Sequence, residues 1–415
     1  MVAGPARRTV GQRRVPRRRT ARLLRDGATG WADAGITVPY ALWQRYGDTR
    51  VIEEHYASMV RYASWLESTS SGNLRTNAGP YLDWLNLEDP TPAGVVGTAY
   101  YAYSIRLLGE LAAAIGRDAD ATRYAALSRA ITQAFVTTYV AADGTVQGDS
   151  QTGYVLAIGM GLLTDPLRAR AADRLVANVQ RHGWHLSTGF LGTPDLLPAL
   201  TATGHLDVAY RLLLNDTYPS WGYEIAKGAT TIWERWDSIR PDGSFGDVGM
   251  NSFNHYAYGA VGDWMYRTVA GIQPDAANPG TSTSRSPPAR GGLTSAKASY
   301  RSAYGTIGSD WDLDARGDMR LRLTVPPTPR RRYASRRPDV RRSPRAADRR
   351  SRLPGCGSCG WTALSPCTRS GPAPTPSRSS HRQPRTTTST SALRRPSRRT
   401  DSPPPPTRAP AARPG

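Results

Sequence analysis

Segments with apolar residues at helical spacing come in consecutive pairs through the first two thirds of this chain, and a short polar or glycine-containing break joins the members of each pair. Long, almost wholly apolar segments alternate with amphipathic ones, as inner and outer rings of helices would require. The pattern therefore predicts a mainly α fold, an (α/α) toroid. The predicted hairpins are Trp31–Tyr46 with Thr49–Leu66, Gly94–Ile115 with Ala119–Tyr139, Gln151–Leu163 with Pro166–Val179, Pro194–Thr203 with Leu206–Leu214, and Ala229–Trp236 with Ser252–Ala270.

The helical pattern ends near Asp275, and a Gly/Pro/Ser-rich stretch follows. Residues 295–325 then alternate in the manner of strands, with a turn at Arg316-Gly317-Asp318. Met319, Leu321, Leu323 and Val325 fall on one face of the last predicted strand. We expect a fragment of a small β-domain here, with unpaired edges exposed.

The net charge of +21 is concentrated at the two ends of the chain. Residues 1–29 hold nine Arg and one Asp, and residues 330–415 hold twenty-one Arg and three Asp, which leaves −5 for residues 30–329. The Arg/Pro/Ser-rich C-terminal stretch lacks hydrophobic periodicity and is predicted to be a disordered basic tail. A polybasic arm for nucleic acid or membranes is the functional alternative, and translation of a shifted reading frame at both ends is a third interpretation.

All three cysteines lie in that tail, and Cys356-x-x-Cys359 with Cys367 and the isolated His381 is a poor match to a zinc site. We therefore expect no metal and no cofactor. No apolar run is long enough for a membrane helix and no signal-peptide pattern precedes residue 30, so the compartment stays open, with the cytoplasm as the default. Neither a nucleic acid nor a membrane is expected as a partner.

The segment Gly228–Asp237 (GATTIWERWD) places one carboxylate, Glu234, between two tryptophans, and an Asn-His-Tyr cluster follows at Asn254–Tyr256. Indole faces stack on the C–H faces of a pyranose while a carboxyl moves a proton, so this composition suits a sugar-cleaving site. The alternative is a buried amphipathic segment whose Glu only finds a hydrogen-bond partner. Two further aromatic loops, Asn77–Leu87 and Tyr218–Tyr223, strengthen the carbohydrate interpretation.

Four segments together resemble the bacterial α-L-rhamnosidases: Gly30–Tyr56, Tyr81–Asn86, Gly228–Ser238 and Gly249–Ile272. The resemblance covers about residues 30–326. It implies an inverting glycoside hydrolase that removes terminal rhamnose from a glycoside or polysaccharide, with a six-hairpin toroid followed by a C-terminal β-sandwich. The expected division is a basic segment at 1–29, the toroid at 30–275 without its first hairpin, a linker at 276–294, a partial β-domain at 295–328 and the tail at 329–415.

The resemblance also implies site residues. Glu234 matches the general base that activates water, His255 matches a histidine that bonds the sugar, and Trp31 and Trp84 match aromatic walls of the rhamnose subsite. Trp221 and Trp233 are further candidate walls. For each of these tryptophans and for His255 the alternative is an ordinary core residue. Asp33 and Asp83 are either supporting carboxylates or helix caps, and the caps are slightly favoured.

One departure concerns the general acid, which in this family precedes the segment at Gly30. The only carboxylate upstream of Gly30 is Asp26, in Arg-rich sequence. Inverting hydrolysis uses two carboxyls roughly 6.5–9.5 Å apart, so we expect an incomplete toroid, impaired on natural rhamnosides and less so on activated aryl ones, with exposed apolar flanks that favour aggregation.

Two other functions stay open. A non-catalytic carbohydrate-binding toroid would keep the tryptophan walls and His255 but not the acid. A polysaccharide lyase would want cationic contacts to uronates, yet residues 30–329 contain only Lys227 and Lys297 as lysines. The oligomeric state is not predicted.

Overall fold

A computed structural model describes residues 27–280, the backbone of 282–283, residue 288 and residues 291–326. The predictions about most of the N-terminal basic segment, the C-terminal tail, its cysteines and the shifted reading frame lie outside these residues.

Helical hairpins dominate the described chain. The four hairpins predicted before residue 215 are confirmed, with ends that move by a few residues. The helices are α1 Ala34–Tyr46, α2 Arg50–Ser68, α3 Ala93–Ala114, α4 Asp118–Tyr139, α5 Gln151–Gly159, α6 Asp165–Arg181, α7 Thr193–Ala202 and α8 Leu206–Leu213, followed by α9 Trp221–Ala226 and α10 Val261–Trp264.

Two kinds of helix build an inner and an outer layer. Helices α3 and α5 are buried on nearly all sides, whereas α2, α4 and α6 bury one face only. Along the inner layer α1 contacts α3, α3 contacts α5, and α5 contacts α7, which in turn contacts α10. Arg45 of α1 also pairs with Asp263 of α10 at 2.6 Å. The mainly α toroid that the sequence predicts is confirmed.

The predicted fifth hairpin is wrong in its first member, because no helix forms over Ala229–Trp236. Gly228 has a φ of +88° and ends the preceding turn. The following residues pair with a later segment instead: the Glu234 N–H donates to Ser252 O at 2.8 Å, and the His255 N–H donates to Ile232 O at 2.8 Å. This pairing also keeps residues 252–256 out of a helix.

The second member of that hairpin is shorter than predicted. Helical structure begins with a 3₁₀ turn at Ala257–Ala260, continues through α10 and ends in a π turn at Met265–Val269. Helix α9 forms instead in the aromatic stretch that was predicted as a loop, where Ser220 Oγ accepts from the Tyr223 N–H at 3.0 Å and caps it.

Two small antiparallel sheets follow the helices. Strands β1 Gln273–Pro274 and β2 Ser282–Thr283 pair with each other, and β3 Ser295–Ser302, β4 Gly305–Leu313 and β5 Met319–Thr324 form a meander in the order β3-β4-β5. The meander agrees with the predicted hairpin and its turn. Leu321 and Leu323 are 38% and 39% exposed, like most of that strand, so the predicted apolar face is not buried.

Trp311 of β4 attaches this sheet to the helices. Its side chain is fully buried in the main hydrophobic core, and its Nε1–H donates to Val269 O at 2.8 Å. Among the described residues, no helix combines the length and the apolar character that a membrane crossing requires.

Candidate active site

The IWERW motif divides its side chains between the core and the surface. Trp233 and Trp236 are buried. Arg235 Nε pairs with Asp237 Oδ1 at 2.8 Å, and burial opposes ionisation of Asp237, but its bonds with Arg235 and Arg240 outweigh burial and hold its pKa below the usual value. Glu234 is the carboxylate of the motif itself and is half-buried. In contrast to Asp237, it forms no ion pair with a cation in the described structure.

Glu234 is oriented by the segment that carries His255. Its Oε2 accepts from the Ser252 N–H at 2.9 Å, and its own N–H donates to Ser252 O. Three residues later, His255 Nδ1 accepts from the Ala257 N–H at 3.2 Å. In the neutral ring this leaves the hydrogen on Nε2, where it is available to a hydroxyl of a ligand.

An aromatic cluster lies at the start of α1 and in the loop before α3. The rings of Trp31 and Tyr81 are 5.0 Å apart, and those of Tyr81 and Trp84 are 5.4 Å apart in an edge-to-face arrangement. Trp31 and Trp84 are both half-buried, so each indole keeps exposed surface. Partly exposed indoles of this kind can stack on the apolar face of a sugar.

The backbone around Trp84 is held in a rare conformation. Leu82 and Leu85 have φ values of +51° and +61°, which bulky side chains seldom adopt and which cost about 1–3 kcal/mol each. Part of the restraint comes from the Tyr258 hydroxyl, which donates to Leu85 O at 3.1 Å. These contacts hold the loop in one conformation.

Asp83 supplies the rest of that restraint. Its carboxylate accepts from the N–H groups of Gly189, Leu191 and Gly192 at 2.7–3.1 Å and from Thr152 Oγ1 at 2.5 Å. Burial raises the pKa of this carboxyl, while the four bonds oppose the rise. The helix-cap interpretation is wrong for Asp83, which joins the Trp84 loop to the loop that leads into α7.

Asp33 does not cap a helix with its side chain either, although it directly precedes α1. Its carboxylate accepts from Gly30 N–H at 2.8 Å, Ser104 Oγ at 2.6 Å and the Tyr62 hydroxyl at 3.1 Å. Burial raises the pKa of Asp33, and these bonds lower it in part. The bond to Gly30 fixes the turn that presents Trp31.

A layer of rings connects the Trp84 loop to His255. The Phe190 N–H donates to Trp84 O at 2.9 Å, and the Phe190 ring lies 5.0 Å from the His255 ring. Beneath them Tyr258 stacks on Trp236 with ring centroids 4.0 Å apart. The structure therefore links the segments of Trp31, Trp84, Glu234 and His255 through continuous contacts.

Comparison with known proteins identifies the family to which this arrangement belongs. Residues 14–269 match the model of the bacterial alpha-L-rhamnosidase 6 hairpin glycosidase domain, and residues 271–331 match the model of the bacterial alpha-L-rhamnosidase C-terminal domain. An alpha-L-rhamnosidase of Streptomyces avermitilis is 52% identical over 73% of this chain, and one of Formosa agariphila is 36% identical over 74%. The chain belongs to the bacterial α-L-rhamnosidase family.

Solved structures of α-L-rhamnosidases share the fold. The Streptomyces avermitilis enzyme in complex with L-rhamnose superposes with a TM-score of 0.69 at 51% identity, over 72% of this chain and 29% of that one. The Aspergillus terreus enzyme gives 0.67 at 30% identity, over 72% and 36%. This chain spans 29% and 34% of the length of the Streptomyces and Formosa relatives.

Two of the predicted α-L-rhamnosidase sugar walls lie in the interior. Trp221 is 7% exposed and its Nε1–H donates to Tyr258 O at 3.1 Å, while Trp233 is 3% exposed and packs edge-to-face on Phe253. An indole whose faces are covered by protein cannot stack on a sugar, so their role as walls is not supported. Trp31 and Trp84 keep exposed surface, and the roles of Trp31, Trp84, Glu234 and His255 stay predictions.

Sequence reasoning missed Glu224, which lies 3% exposed beside the motif. Burial raises the pKa of its carboxyl to about 8, and its Oε1 has no hydrogen-bond partner among the described residues. Phe190 was also missed, although an aromatic residue in a short segment bounded by Gly189 and Gly192 could have marked it in the sequence. Among the described residues, no group of three His, Cys, Asp or Glu side chains is placed to hold a metal ion.

Proposed function

We propose that this chain binds terminal α-L-rhamnosyl residues of glycosides or polysaccharides and hydrolyses them with inversion, with Glu234 as the base that activates water. The observation that carries the proposal is the pairing of residues 232–234 with 252–255. It orients the Glu234 carboxylate through the Ser252 N–H and places His255 beside Ile232 through the bond from the His255 N–H to Ile232 O.

Each of the four side chains has its own role in this proposal. Trp31 and Trp84 cover the apolar face of the sugar, and the free Nε2–H of His255 donates to one of its hydroxyls. Glu234 accepts a proton from the water that attacks the anomeric carbon, as the base of an inverting mechanism does. The L-rhamnose bound to the Streptomyces relative supports the choice of sugar for this chain.

Binding of free L-rhamnose, measured by calorimetry, tests the sugar site without requiring turnover. We expect W84A and H255A to weaken binding at least about tenfold, equivalent to about 1.4 kcal/mol each. E54Q, which changes an exposed carboxylate on α2, is the control and keeps wild-type affinity. If W84A and H255A bind rhamnose as wild type does, the site is elsewhere.

A carbohydrate-binding module without catalysis is the second candidate. The observation that favours it is that Asp33 and Asp83, the carboxylates adjacent to the aromatic cluster, are both occupied by structural hydrogen bonds. Rhamnose binding together with no release of sugar from an activated aryl rhamnoside would select this candidate.

A further inference from the structure

A groove lies where the last helical turns meet the first strands. Its volume is about 410 Å³, within the range of about 300–1,000 Å³ that is usual for small-molecule sites. Arg45, which lines it, is near the C-terminal end of the 13-residue helix α1, whereas Trp31 precedes the N-terminal end. At about 1.5 Å per residue, the groove is roughly 20 Å along the helix axis from the turn that presents Trp31. It is therefore separate from the candidate active site.

Two tyrosine rings line this groove. Tyr266, in the π turn after α10, is 43% exposed, and its hydroxyl donates to Ser299 O at 3.2 Å, which ties the ring to β3. Tyr300 of β3 is half-buried and packs against a small apolar cluster that contains Ile272. Both rings are thus held in place while part of their surface stays open. Such rings can stack on the C–H face of a sugar.

The π turn is a second feature of this groove. The Ala270 N–H donates to Met265 O at 2.9 Å, five residues back, and the Ile272 N–H donates to Tyr266 O at 2.8 Å. Turns of this kind are rare within helices and are frequent at functional sites. The turn that carries Tyr266 therefore points to a function independently of the side chains that line the groove.

An ion-pair cluster forms one side of the groove. Asp263 Oδ1 accepts from Arg45 Nη2 at 2.6 Å, and Asp263 Oδ2 accepts from Arg267 Nε. The Arg45 side chain is 34% exposed, and this pair occupies one of its five N–H donors. The carboxylate thus fixes the guanidinium, whose remaining donors are available to a ligand.

Other polar groups of the groove are also available. The Tyr300 hydroxyl and the Gln273 side-chain amide line it and form no hydrogen bond with the residues that the structure describes. With Arg45 they offer several donors and acceptors to a ligand. Arg45 and Asp263 are the charged residues of the lining, and their charges cancel. An uncharged ligand with several hydroxyls and one apolar face matches this set best.

We propose that this groove binds a neutral pyranose unit, stacked on Tyr266 or Tyr300 and hydrogen-bonded to Arg45, Gln273 and the Tyr300 hydroxyl. It is a second carbohydrate site, in addition to the one proposed around Trp84 and His255. Binding in the groove does not require hydrolysis by Glu234, so this site stands apart from the proposed function.

Saturation-transfer NMR on the full chain tests this site, with methyl α-L-rhamnopyranoside and methyl β-D-glucopyranoside as probes. The double variant W84A/H255A removes the contacts of the first site, and we expect it to keep binding of at least one probe. Adding G262L should weaken that binding at least about tenfold. Gly262 lines the groove, and a Cβ added there meets nothing within 4 Å, so leucine fills the groove without displacing its neighbours. G35L is the matched control, because a Cβ at Gly35 also meets nothing within 4 Å.

A second variant keeps the test decisive if G262L does not fold, which urea unfolding shows. Y300F retains the ring but loses the hydroxyl, and should weaken binding severalfold. The proposal is overturned if neither probe binds to W84A/H255A, or if G262L and Y300F bind as strongly as their parent. Failure of the proposed function gives a different result: W84A and H255A, tested singly, leave the affinity for L-rhamnose unchanged, and the effect of G262L still decides whether the groove binds sugar.

Discussion

Glu224 and Glu234 lie in one short stretch of chain but in opposite environments. Glu234 is half-buried and is held by the backbone N–H of Ser252 in a neighbouring segment, which suits a carboxylate that must meet water. Glu224 is enclosed with one oxygen unpartnered, which suits an uncharged acid. Surroundings of this kind separate the roles of chemically identical side chains.

The buried carboxyl predicts how stability depends on pH. The pKa of Glu224 is raised from 4.5 to about 8 in the folded state. Its stabilising contribution is complete below pH 4.5 and is lost as pH rises toward 8, because only the unfolded chain ionises in that interval. Gln does not ionise, so E224Q lacks this loss. The free energy of unfolding of E224Q minus that of wild type should therefore be roughly 3 kcal/mol larger at pH 8 than at pH 5.

Urea unfolding of both proteins at the two pH values measures this difference. E54Q serves as the control, since its target is an exposed carboxylate on α2. The same pH dependence in wild type and E224Q would show that Glu224 is not buried in its acid form.

At the scale of elements, the site depends on close contact between two loops. Gly189 marks the tightest point, where an added Cβ would lie 2.2 Å from Trp84 O and 2.7 Å from Asn86 N. Neither neighbour is a flexible side chain, so any larger residue must push the Trp84 loop away. The position of the predicted sugar wall is thus determined by a glycine in a different hairpin.

The variant G189A should therefore weaken L-rhamnose binding at least about tenfold and destabilise the fold by about 1–3 kcal/mol. G35A is the matched control, because a Cβ at Gly35 in α1 meets nothing within 4 Å. Calorimetry and urea unfolding give the two quantities. Wild-type affinity in G189A would mean that Trp84 does not contact the sugar.

Sequence reasoning succeeded where local pattern decides the structure. The helical hairpins before residue 215 follow from periodicity and breaks, and the four quoted segments identified the family. It failed at Ala229–Trp236, where Ile232, Trp233 and Trp236 mimic helical spacing, but β-branched Thr230, Thr231 and Ile232 and pairing with residues 252–255 favour an extended chain.

The role of Asp83 could not be predicted from the sequence, because its backbone partners are 106–109 residues away. Glu224 was equally hidden, since burial of its carboxyl depends on how α9 packs against a segment that was expected to be helical. Long-range packing decides both cases.

At the scale of the whole molecule, the first inner helix exposes an apolar stripe. Val38, Leu42 and Tyr46 are spaced by four residues on α1 and are 52%, 38% and 57% exposed. Apolar residues that line one face of an inner-layer helix favour contact with another protein surface. The described molecule thus keeps the exposed apolar flank that the sequence predicts.

We expect wild type to self-associate in a concentration-dependent manner and the double variant V38Q/L42Q to stay monomeric, because Gln keeps the helix propensity and removes the apolar surface. Sedimentation velocity over a hundredfold range of concentration measures this. L214Q, which replaces an exposed Leu after α8, is the control and should associate like wild type. A wild-type chain that is monomeric throughout this range would contradict the expectation.

We propose that Glu234 activates water at a rhamnose site. NMR spectroscopy of an activated aryl α-L-rhamnoside during turnover tests it most directly, since such a leaving group needs little protonation. We predict that the β anomer of rhamnose appears first, and that E234Q lowers the rate about 10²–10⁴-fold while it still binds L-rhamnose. Release of the α anomer first, or a wild-type rate in E234Q, would contradict the claim.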